Sequence, residues 1–127
     1  MIRAIGSIYT KSKETALLPG VLAHFTAGVV FCHLYLILFN IFPLSVDNPF
    51  IYIILGTLSG MVHGVVVSFL LVILVAEHHP LKEFRRAGFD VAIFHLLAHV
   101  VYGFIIGFMY YLAMCGLSLP LNISQLI

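Results

Sequence analysis

The chain has 127 residues, 62% of them hydrophobic and 9% charged, with a formal net charge of +1. This length allows a single domain, residues 1–127, and the composition is far from that of a water-soluble globular protein. A nearly neutral chain has no general basic field, which argues against nucleic acid as a partner.

The first segment, residues 1–9, places Ile2, Ile5, Ile8 and Tyr9 at near-helical spacing with Arg3 among them. It reads as a short interfacial helix, or else as a frayed terminus. It does not read as a signal peptide, because the first apolar run is too long and no small-x-small site precedes the polar stretch.

Three apolar runs follow. They cover Gly20 to Phe42 between Pro19 and Pro43, Phe50 to Ala76 between Pro49 and Pro80, and Phe89 to Cys115 before Pro120. Each exceeds the ~20 residues needed to cross a ~30 Å hydrocarbon core. Proline flanks the runs and interrupts none of them, as continuous helices require. The expected fold is an all-α integral membrane protein, a small bundle of three transmembrane helices. Pro120 to Ile127 is too short for a fourth span, and the Asn122-Ile123-Ser124 sequon so near a span is best explained by chance.

The basic residues predict the orientation. Arg3, Lys11 and Lys13 precede the first run, and Lys82, Arg85 and Arg86 separate the second from the third. Neither the Pro43–Pro49 loop nor the tail after Cys115 has a Lys or Arg. The positive-inside rule then puts the N-terminus in and the C-terminus out.

Five of the seven histidines, His24, His33, His63, His95 and His99, fall inside the apolar runs. Ionisable groups at that depth are costly and mark bundle interiors or functional sites. At ~1.5 Å per residue, His33, His63 and His99 come to similar depths near midplane. His95 and His99 share one helical face, continued by Tyr102. Thr26, His33 and Asn40 form a seven-residue stripe, while His24 lies about half a turn from His33, so at least one of the two must face elsewhere. Gly56, Gly60 and Gly64 on the second run, and Gly103 and Gly107 on the third, are the small-residue ridges that allow helix backbones to approach closely.

His33, His63, His95 and His99 are therefore the candidate cofactor-binding residues. An i,i+4 pair such as His95 and His99 suits a transition-metal ion. Two axial imidazoles, for instance His33 or His63 with His99, suit haem b. The bland alternative is interhelical hydrogen bonding. A second candidate, for a metal ion or a proton relay, is the layer Glu77, His78, His79 and Asp90, although the same residues read as polar helix ends that complement the helix dipoles. Cys32 and Cys115 lack the spacing of a redox or zinc motif. No catalytic triad, phosphate loop or nucleotide fingerprint occurs, so the chain is not expected to be an enzyme on its own.

A chain this short leaves little room for its own substrate pocket. The expected role is an accessory or oligomerising subunit of a larger membrane complex, with lipid and other membrane subunits or further copies of itself as partners. The alternatives are a haem b or transition-metal redox component and a transporter of protons or metal ions.

Overall fold

Each apolar run forms one unbroken helix. The computed structural model describes residues 2–42, 48, 50–86 and 88–118. Its elements are α1 (Ile2–Thr10), α2 (Leu17–Ile41), α3 (Ile51–His78), a 3₁₀ helix over Lys82–Arg86, and α4 (Phe89–Ser118). The described residues include no strand. Most of the Pro43–Pro49 loop lies outside them, as does the tail with Pro120 and the Asn122–Ser124 sequon.

Windows within α2, α3 and α4 have mean hydropathies of 2.0, 2.4 and 2.1, and all three helices are long and apolar enough to cross a membrane. Their outward faces are apolar too: Phe25 is 69% exposed, Val62 62% and Phe94 72%. Apolar surface on this scale suits a lipid environment rather than water. The helix ends differ from the predicted limits by a few residues. α2 starts at Leu17, so Pro19 sits inside its first turn. Proline costs nothing there, since first-turn N–H groups have no partner within the helix.

The bundle is built from two pairs. α3 and α4 meet backbone to backbone. A Cβ on Gly56 would run into the Gly103 carbonyl, one on Gly60 into the His99 carbonyl, and one on Gly107 into the Tyr52 carbonyl. At Gly64 an added Cβ would lie 2.9 Å from both the His99 Cβ and the Leu96 Cδ1. α1 and α2 form the other close pair: a Cβ on Gly6 would strike the Ala16 carbonyl, and one on Gly20 the Ile2 carbonyl.

The two pairs meet through side chains. Tyr35 and Phe39 of α2 are buried with Tyr52 of α3, and Tyr102 and Tyr110 of α4 pack against them. Phe39 contacts the Tyr52 and Tyr110 rings edge-on, with centroids 5.7 and 5.1 Å away. Such aromatic pairs contribute about 0.5–1.5 kcal/mol each beyond their buried area. α2 is otherwise lightly held, with 6% of its most apolar window buried against 24% for α3.

The basic end is tied by polar contacts. His79, just past α3, is 1% exposed. Its Nε2–H donates to the Ala4 carbonyl of α1 at 2.9 Å, with the Ser7 hydroxyl oxygen 3.2 Å away. Its Nδ1 lies 3.0 Å from the Leu81 backbone nitrogen and 3.1 Å from the Leu81 carbonyl oxygen, so both ring nitrogens have a partner. Arg85 Nε donates to the His79 carbonyl at 2.7 Å, and Lys13 pairs with Glu83 at 3.1 Å. Nearby, a 2.6 Å hydrogen bond from the Ser12 hydroxyl holds the Glu14 carboxyl below its ordinary pKa, helped by the Glu14 backbone N–H.

Candidate functional site

Because α2 stands away from the α3–α4 pair below the aromatic layer, a cleft of about 480 Å³ opens between them. Ile5, Ile8 and Tyr9 of α1 line its basic end. α2 contributes His24, Ala27, Gly28 and Phe31, α3 contributes His63 and Val67, and α4 contributes His95, Ala98, His99 and Tyr102. A volume in this range is typical of small-molecule sites. The sequence-based expectation of little room for a pocket is thus corrected. It assumed three evenly packed helices, whereas glycine contact draws two of them together and leaves the third apart.

The cleft brings together three of the predicted histidines. His63 and His99 lie ring to ring at 4.7 Å in an edge-on arrangement, and His95 lies 5.5 Å from His99. The helical register explains this: His95 and His99 share a face, and Gly64 lets α4 approach beside His63. His99 Nδ1–H donates to the His95 carbonyl at 2.6 Å, which leaves Nε2 as the free nitrogen of a neutral ring. His63 Nδ1 lies 3.2 Å from the Tyr35 hydroxyl, and Phe31 stacks on the ring at 3.7 Å. His63 Nε2 is buried without a hydrogen-bond partner. The Tyr102 hydroxyl donates to the Gly28 carbonyl, bridging α4 to α2 at the top of the cleft.

His33 is not brought to this group. It is exposed on the outer side of α2, with Nδ1 donating to the Val29 carbonyl at 2.8 Å. Asn40 is likewise exposed, donating to the Leu36 carbonyl at 2.6 Å. His24, half a turn away, borders the cleft instead. The depth estimate placed His33 level with His63 but could not say which way it pointed, because α2 is apolar all round and has no dominant face.

The second predicted constellation is not assembled either. His79 turns into α1, whereas Glu77 and His78 are exposed and 3.9 Å apart, and Asp90 is exposed at the start of α4. Among the described residues no group of three or more His, Cys, Asp or Glu is arranged to hold a metal ion. Haem sandwiched between His63 and His99 does not fit the geometry. Two imidazoles on opposite faces of one iron, with bonds of ~2 Å, keep their ring centres more than ~6 Å apart, and these are 4.7 Å apart. Cys32 and Cys115 form no disulfide.

Two features escaped the sequence reading. One is the Gly6–Gly20 contact, for which Ala16-x-x-x-Gly20 was an available small-xxx-small signal. The other is the structural role of His79, which has no such signature. Comparison with family models, with curated proteins and with solved structures finds no match to this chain. The fold and the cleft together define a small, all-helical protein with three candidate membrane-spanning helices and a histidine-lined cavity between them.

Proposed function

We propose that this chain is a multi-pass membrane protein, basic end in the cytoplasm, that works as one subunit of a larger membrane assembly and docks through the outer face of α2. One observation carries this reading. Thr26, His33 and Asn40 lie on a single stripe of α2, and all three are exposed. Among the described residues, His33 and Asn40 hydrogen-bond only to their own helix backbone. Polar side chains facing hydrocarbon are unfavourable, whereas the same groups across a helix–helix contact hold subunits together. The low burial of α2 leaves that face open to a neighbouring helix.

The test is the native mass of the particle in mild detergent or lipid nanodiscs. A mass of two or more chains, or a copurifying membrane protein, supports the reading, and the double variant His33→Leu/Asn40→Leu should shift the particle to single chains. A wild-type particle of one chain with no partner, in bilayer as in detergent, overturns it.

A further inference from the structure

We infer that the cleft binds an uncharged, membrane-soluble ring compound bearing hydroxyl or carbonyl oxygens, of the quinone or quinol type. Four observations converge on this chemistry, and none depends on the proposed assembly through α2.

The first is the chemistry of the lining. Its described residues carry no carboxylate, guanidinium or thiol, and their ionisable side chains are imidazoles and phenols. A ligand charged at neutral pH would find no carboxylate or guanidinium partner among them in a low-dielectric setting. The second is the route of entry. On the flank of the bundle, His24 and Ala27 of α2 and Ala98 of α4 line the cleft and are exposed, while Ile8 and Tyr9 of α1 line its basic end. The flank opening lets a ligand dissolved in hydrocarbon reach the cleft.

The third is the supply of hydrogen-bonding groups. His24 and His95 make no side-chain hydrogen bond with any described residue, and His99 keeps Nε2 free because Nδ1–H is committed to the His95 carbonyl. Each neutral imidazole offers one donor and one acceptor, or one remaining acceptor in the case of His99. Apolar walls with a few convergent polar groups of both kinds match a ring that carries both kinds of oxygen. The fourth is size. Phe31 and the histidines line a space of about 480 Å³, enough for a substituted single ring with the start of its tail. Only binding is proposed; no electron transfer is assigned to the site.

The experiment uses the full chain reconstituted in liposomes, with a decyl-substituted 1,4-benzoquinone as probe. Wild-type protein should bind it saturably at about one molecule per chain, above partition into protein-free liposomes. Ala98→Phe fills the mouth from α4 and Ala27→Phe fills it from α2. Each should weaken binding at least about tenfold, the scale of a blocked apolar pocket. Leu112→Phe, on the exposed side of α4 away from the cleft, should bind as wild type does. Circular dichroism and particle mass establish that the variants fold. Partition no greater than in protein-free liposomes, or equal binding by wild type and both folded filling variants, overturns the proposal. Stoichiometric binding of zinc ion alone, lost in the same variants while the quinone is not retained, also overturns it and assigns the cleft to a cation.

Discussion

His79 Nε2 and the Ala4 carbonyl lie 2.9 Å apart, although 75 positions separate them in the chain. This bond fastens α1 to the end of α3, and the whole imidazole is sealed from solvent. His79→Leu removes the donor to Ala4 and the ring's contact with the Leu81 backbone. The expected cost is about 1–3 kcal/mol, as for buried hydrogen bonds that lose a partner. The loss should be local. Amide hydrogen exchange should quicken across Ala4–Thr10 while α3 and α4 stay protected. Unchanged exchange in α1 would show that the Gly6–Gly20 contact holds that helix unaided.

Gly60→Ala and Gly116→Ala should have opposite effects. At Gly60 the added Cβ meets the α4 backbone, 3.1 Å from Gly103 Cα and 3.2 Å from Val100 Cα. Backbone cannot turn aside as a side chain can, so α3 and α4 must separate, at about 1–3 kcal/mol. At Gly116 nothing lies within 4 Å, and alanine should gain about 0.5–1 kcal/mol from helix propensity. Thermal unfolding in detergent, followed by circular dichroism, separates the two. Equal midpoints would refute a glycine-mediated contact.

Lys11 ends α1 with a φ of 53°, in the left-handed region, and its N–H donates to the Ser7 carbonyl at 2.8 Å. Lysine occupies this conformation at a cost of about 1–2 kcal/mol, which glycine does not incur. Lys11→Gly should therefore stabilise the chain by up to about 1 kcal/mol, offset in part by greater backbone entropy in the unfolded state. Denaturant titration in mixed micelles measures it. A lower midpoint in the variant would contradict the left-handed assignment.

The proposed orientation predicts that Asn48→Cys, in a chain with Cys32 and Cys115 replaced, reacts with an impermeant thiol reagent only from the side opposite the cytoplasm. Ser12→Cys should react only from the cytoplasmic side. The motive is the placement of all six Lys and Arg residues at the end where α1, the end of α3 and the start of α4 meet. Labelling of position 48 from the cytoplasmic side would reverse the topology.

Some of this architecture could be read from the chain alone, and the reasons differ by residue. Helix positions followed from run length and flanking prolines, because lipid obliges a spanning segment to satisfy its own backbone. Even so, Pro19 lay inside α2, since a first-turn residue needs no N–H. His95 and His99 could be placed on one face by their spacing. His63 joined them only because Gly64 and Leu96 set the height of α3 against α4, a tertiary fact no spacing encodes. His33 and His79 illustrate the limit. Depth along an axis is countable, but direction around an axis apolar on every side is fixed only by its neighbours.

The two interfaces of the bundle also differ in stiffness. Where glycine backbones touch, as between α3 and α4, there is no rotamer to flip and no free volume to compress. The contact between α2 and that pair rests instead on side chains, the rings of Phe31, Tyr35 and Phe39 and the Tyr102–Gly28 hydrogen bond, with no backbone-to-backbone seam. Any swelling or shrinkage of the space between them must then be taken up by α2, with the α1 attachment at its foot as the pivot. Strain from the surrounding bilayer would be absorbed along this single compliant seam rather than shared among three helices.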